Sequence, residues 1–154
     1  MRAASFLEVT MYKRILIPTD GSEITARAIA AGVGLAKALG AEVDTISVKE
    51  PFPYGAVAEM QPTPPQEFFE AQERAAARYV RVVIDACDAA GVVCHAITIE
   101  GLQPWEAIVE HAEKTHCDLL VMGSHGRSGL ASLFLGSETQ DVLKHTKIPV
   151  LVVR

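Results

Sequence analysis

Short β-rich runs alternate with stretches of helical spacing along the chain, and this alternation limits the possible fold more than any other feature. The runs are Arg14–Pro18, Glu42–Val48, Val92–Ile99, Asp118–Met122 and Pro149–Val153. After the first, Ala26, Ile29, Val33 and Ala36 recur at three and four residues, and Gly40 stands where a left-handed residue would end a helix. Phe68, Gln72, Ala75, Tyr79, Val82 and Ala86 recur likewise and lead to Gly91. Shorter helices are expected from about Trp105 to Lys114 and from about Ser137 to His145. A βαβαβαβαβ order demands right-handed crossovers that pack back on the sheet, so the expected class is α/β. The sheet is a single doubly wound, open, parallel one with helices on both faces. Leu119–Met122 and Val150–Val153 are nearly continuous apolar runs, as suits strands covered on both sides.

An open sheet of this kind takes ligands beyond the carboxyl ends of its strands, where the winding reverses. The loops after Pro18, Val48, Ile99 and Met122 are therefore the places to search. A length of 154 residues allows one domain, and 49% apolar residues argue against disorder. No run approaches the ~20 apolar residues of a membrane-spanning helix, so no membrane partner is expected. Residues 1–10 lack helical or strand periodicity and read as a poorly ordered extension, with the domain occupying 11–154. Ala3–Leu7 is too short for a secretory core and Glu8 interrupts it, so the cytoplasm is the expected location. Cys87, Cys94 and Cys117 form no CxxC pair and read as reduced, buried small residues. The net charge of −5, with no basic stretch, makes the chain a poor candidate for binding a DNA or RNA backbone, and no nucleic-acid partner is expected. A small anion held by backbone donors stays open.

Two of the four loops are unusual. Glu50–Pro65 carries Pro51, Pro53, Pro62, Pro64 and Pro65, so it is irregular, and it is either a lid or a plain connection. The other reads Met122-Gly123-Ser124-His125-Gly126-Arg127-Ser128-Gly129, followed by Leu135-Gly136-Ser137-Glu138-Thr139. A strand running into glycines lets the backbone come close to an anion. Ser137 suits an N-cap, Gln140 completes a capping-box pattern, and the helix behind them offers free N–H groups to a phosphate. An ordinary glycine turn with an ordinary cap explains the same residues without a ligand. No Lys follows Gly136, so this is no Walker loop, and the spacing of Gly123, Gly126 and Gly129 is not the dinucleotide fingerprint.

The spacing Gly123, two residues, Gly126, nine residues, Gly136-Ser137 resembles the nucleotide-binding motif of ATP-binding universal stress proteins. Met11-Tyr12-Lys13-Arg14-Ile15-Leu16-Ile17-Pro18-Thr19-Asp20-Gly21-Ser22-Glu23 is similar to that family's first strand and loop, and Pro149–Arg154 to its last strand. The resemblance implies five parallel strands in the order 3-2-1-4-5, the adenine nucleotide alpha hydrolase-like fold. It also implies a homodimer joined through Val150–Val153, and ATP or AMP as ligand, with Mg or Mn on the phosphates near Asp20. Carried onto this chain, Gly123, Gly126, Gly136 and Ser137 would cradle phosphates and ribose. Asp20 would sit beside them, Val48 would present its backbone to adenine, and Pro18, Thr19 and Met122 would line the pocket. Glu138 departs from the family's small or apolar residue. Its carboxylate either points inward, where it would repel a triphosphate, or points to solvent and complements the helix dipole; its N–H is available in both cases, and Thr139 is a further candidate contact.

His125 and Arg127 lie in the loop and are candidate phosphate contacts, with solvation the plain alternative, and Gly101 is a weaker candidate. His111 and His116, five residues apart, do not share a helix face and read with Cys117 as helix-end and packing residues. His95 is expected in a core or edge contact and Trp105 in the core. No Ser/His/Asp order, paired carboxylates or zinc spacing stands out, and His125 is the one evident base, so no catalytic residue is assigned. The expected function is a nucleotide-gated, dimeric stress-response regulator read by an unknown protein partner. Slow ATP hydrolysis or autophosphorylation at the same site is the alternative.

Overall fold

The computed structural model describes residues 11–53, 65–125 and 135–154. Among them the order is β1 (Arg14–Pro18), α1 (Glu23–Leu39), β2 (Glu42–Lys49), α2 (Gln66–Ala90), β3 (Cys94–Glu100), α3 (Pro104–Lys114), β4 (Leu119–Gly123), α4 (Ser137–His145) and β5 (Val150–Val153). All neighbouring strands are parallel, in the order β3-β2-β1-β4-β5. The third strand begins at Cys94, two residues later than the apolar run suggests, because Val92 and Val93 still belong to the turn out of α2. Val92 N–H donates to Cys87 O at 2.9 Å there. Residues 1–10, and with them the expected extension, lie outside the described residues, as does 54–64 of the proline-rich loop.

Ile15, Leu16 and Ile17 are each fully buried. Alternate side chains of a strand point to opposite faces, so burial of three in succession requires a cover on both. On one face, Ile15 and Ile17 pack with Ala28, Ile29, Val33 and Ala36 of α1 and with Val83 and Cys87 of α2. On the other, Leu16, Ile46 and Leu120 pack with Ile108, Val109 and Ala112 of α3 and Val142 of α4. Each buried Val, Leu or Ile among them contributes roughly 1.5–3 kcal/mol by leaving water. The helices that return the chain outward through β2 and β3 thus lie on one face, and those of β4 and β5 on the other. The winding reverses between β1 and β4.

Helix α1 ends where expected, at Gly40 with φ 66°, and α2 at Gly91 with φ 71°. The buried face of α2 is not the expected one. Ala76, Val80, Val83 and Cys87 are buried, while Val82 is 55% exposed. That face is turned by one residue from Ala75, Tyr79, Val82 and Ala86. A helix rich in alanine offers two apolar stripes, and tertiary contact chooses between them.

At the amino end of the sheet lies a buried charge that the sequence reading passes over. Asp44 is 1% exposed and accepts from Arg14 Nε at 2.8 Å and Nη2 at 3.2 Å. His111 Nε2 lies 3.3 Å from Asp44 Oδ2, the oxygen that also meets Arg14 Nη2, so this histidine pairs with a carboxylate and does more than end a helix. The Asp44 hydrogen bond raises the Arg14 pKa despite some burial. The expected packing role of Cys117 holds, and burial pushes its thiol up.

Candidate functional site

Thr19 N–H donates to Ile46 O at 2.9 Å, one residue beyond the end of β1. Backbone groups alternate along a strand, so Val48, two residues further, also directs its N–H and C=O toward the β1 side. There β1 has already turned away, and among the described residues no further rung follows. The side chain of Val48 meets Gly101, where an added Cβ would lie 3.3 Å from Val48 Cγ1. Gly101 N–H donates to Lys49 O at 3.1 Å. The structure therefore sets Gly101 against Val48, its N–H spent on the neighbouring strand.

The turn after β1 is built around Asp20. Its Oδ1 accepts from Ser22 N–H at 2.9 Å and from Thr25 Oγ1 at 2.8 Å, while Ser22 Oγ and Thr25 Oγ1 lie 2.8 Å apart. This is an Asx turn that leads into α1, whose N-cap Ser22 makes no side-chain capping bond, so Asp20 shapes the turn itself. Thr19 is buried and Pro18 half-buried at the same strand end. The side chain of Met122 points down into the core beside α3 and α4, so only its backbone belongs to the edge. Gly123 has a packing reason of its own. An added Cβ would lie 3.1 Å from Ile24 Cγ2 and 3.2 Å from His125 O.

The start of α4 is fixed to the end of β4 by two bonds. Gly136 N–H donates to Ser124 O at 2.7 Å, and the buried Thr139 donates its hydroxyl to Gly123 O at 2.9 Å. The Gly136 amide, expected at a phosphate, is thus committed within the chain. Ser137 is not the N-cap. Gly136 holds that position with no side-chain cap, and Gln140 donates its side-chain amide to Leu135 O at 2.6 Å in place of a capping box. Gln140 N–H to Gly136 O opens the intrahelical ladder. The amides of Ser137, Glu138 and Thr139 come before it, and among the described residues they meet no acceptor. Glu138 does not face solvent either. Its carboxylate accepts from the Trp105 backbone N–H at 2.7 Å and so caps α3 from the neighbouring helix. Burial raises its pKa, partly opposed by that bond.

His125 Nδ1 lies 3.1 Å from Ser124 Oγ. Gly126 and Arg127 lie outside the described residues. Trp105 is half-buried at the margin of the core, stacked on His145 with ring centroids 4.1 Å apart. His95 makes an edge contact at 3.0 Å to Glu42. Tyr79 of α2, read from the sequence only as a helix-face residue, lies directly on Gly21 in the β1 turn. Among the described residues no three His, Cys, Asp or Glu side chains are grouped to hold a metal ion, and no helix is long and apolar enough to cross a membrane.

The profile of the universal stress protein family matches residues 11–154. The chain belongs to that family. A universal stress protein of Methanocaldococcus jannaschii, MJ0531, is 37% identical over 145 residues, which cover 94% of this chain and 83% of the relative. The solved structure of MJ0577, a universal stress protein of the same organism, superposes with a TM-score of 0.75 at 32% identity, covering 93% of this chain and 96% of that one. A universal stress protein solved in complex with cAMP superposes with a TM-score of 0.69 at 26% identity, covering 94% and 98%. The 3-2-1-4-5 sheet implied by the motif is the fold of this universal stress protein.

Proposed function

We propose that this universal stress protein binds an adenine nucleotide, AMP or ATP, at the reversal point between β1 and β4. The observation that carries the reading is the start of α4, pinned to the end of β4 with three leading amides uncommitted among the described residues. Converging N–H groups at a positive dipole end favour a phosphate. The outward N–H and C=O of Val48 supply one donor and one acceptor, the pair that an adenine edge complements. A relative solved with cAMP supports the ligand class.

Where ATP is bound, a divalent ion such as Mg or Mn would be held mainly by the phosphates. Asp20 would be the carboxylate that the protein contributes, although its Oδ1 already serves Ser22 and Thr25. The reading extends to a cytoplasmic homodimer joined along β5, whose nucleotide occupancy is sensed by a regulatory protein partner. Calorimetric titration of AMP, ATP and GTP tests the site. Micromolar binding of either adenine nucleotide, with GTP at least tenfold weaker, supports it. Equal affinity for ATP and GTP would remove Val48 as the base reader, because guanine reverses the order of donor and acceptor.

A further inference from the structure

The amino-terminal half of helix α2 reaches the carboxyl end of the sheet and grips two of the loops that form the site. Lys49, at the end of β2, pairs with Glu73 of α2. Phe52, buried just beyond, meets Phe68 of α2 edge to face with centroids 5.1 Å apart. The third grip is on the β1 turn. Gly21 has φ +75°, and a Cβ built on it would lie 2.2 Å from Tyr79 Cε1, 2.4 Å from Cδ1 and 2.9 Å from Cζ. The flat of the ring therefore rests on the glycine itself, in space that no other residue type leaves open. Gly21 follows Asp20, whose carboxylate folds back on Ser22 and Thr25. The turn is thus tied from inside by Asp20 and pressed from outside by Tyr79.

We propose that Tyr79 is a positioning residue of the nucleotide site, its ring fixing the Asp20–Gly21 turn so that Asp20 stands ready for ribose and phosphate. The inference rests on the nucleotide reading above. Without the ring, Gly21 regains the wide φ range of an uncovered glycine, and the Asp20 carboxylate wanders with it. A site held to within about 0.5 Å binds well, and loss of its supporting contact loosens it.

The test compares Tyr79→Ala, Tyr79→Phe and Val83→Ala by calorimetric titration of AMP and by hydrogen exchange of the Ser22 amide. Val83 lies one turn further along α2, fully buried in the core, and controls for general loss of stability. Tyr79→Ala is expected to weaken AMP about tenfold and to speed Ser22 exchange, and Tyr79→Phe to keep both within about threefold of wild type. Val83→Ala should lower the melting temperature but leave affinity unchanged. Tyr79→Leu, which keeps apolar bulk without a flat ring, serves if the alanine variant does not fold, and the same losses are expected of it. Full affinity in Tyr79→Ala, an equal loss in Val83→Ala, or failure of Tyr79→Phe to restore binding would each overturn the proposal. Wild-type protein that binds neither nucleotide overturns the functional reading. The exchange rates then uphold or overturn the hold of Tyr79 on the turn by themselves.

Discussion

Glu138 shows how far one side chain's role depends on what lies across from it. On its own helix it reads as a first-turn acid complementing the dipole. In the fold it caps a different helix, 33 residues away, and loses water in doing so. A carboxyl group whose folded pKa is raised favours the fold when protonated, fully so below the unfolded value of about 4.5, and that contribution is lost as pH rises through the folded value. Glu138→Gln keeps an acceptor for Trp105 and removes the desolvated charge. Its melting temperature should equal wild type near pH 4 and exceed it slightly at pH 7, by less than about 1 kcal/mol in stability given the partial exposure of the group. A thermal melt series from pH 4 to 7 checks the sign, and a variant less stable at pH 7 than wild type would reverse it. Asp44 is buried deeper still, with Arg14 and His111 as its partners. Asp44→Ala leaves the Arg14 guanidinium and the His111 ring without their shared acceptor and should cost about 3–5 kcal/mol in urea denaturation.

At the scale of elements, the join between β4 and α4 matters most, because it places the phosphate-facing end of the helix. Thr139 makes that join with a buried hydroxyl on the Gly123 carbonyl. Thr139→Val keeps the shape and leaves that carbonyl without its partner, at about 1–3 kcal/mol. Stability should fall by that amount in urea denaturation, and AMP affinity should fall with it, because the first turn of α4 is no longer tied to the strand. A variant that loses stability but binds at full affinity would mean that the Gly136–Ser124 bond alone sets the helix.

For the whole molecule, the telling feature is β5 at the edge of the sheet. Ser124 N–H donates to Val153 O and Leu120 N–H to Pro149 O, so the odd residues of this strand face β4. Val150 and Val152 then direct their N–H and C=O outward, and Leu151 is 41% exposed. An apolar edge strand with outward donors invites pairing with a second copy. Val152→Pro removes an outward donor and leaves the β4 ladder complete, since proline is tolerated on edges. Sedimentation should show a weakened dimer and circular dichroism an intact fold. An unchanged dimer places the interface elsewhere.

Periodicity, turn residues and the glycine spacing were enough to read the five strands, the four helices and their stops at Gly40 and Gly91, because these follow from local backbone preference and repeated burial. The sheet order and the family came from a resemblance carried by the Gly123–Ser137 motif, Met11–Glu23 and Pro149–Arg154, local stretches that are read without a structure. Other features were settled only by packing between distant segments. The rotation of α2 was decided by which of two alanine-rich stripes met the sheet. Gly136 lost its amide to Ser124, Glu138 turned to Trp105, and Asp44 was buried against Arg14 and His111, each through a partner that local sequence does not name. Tyr79 belongs with them. Its place on the helix was legible from the sequence, but its contact with Gly21 joins residues 58 positions apart, and a pairing at that distance exists only once the chain has closed on itself.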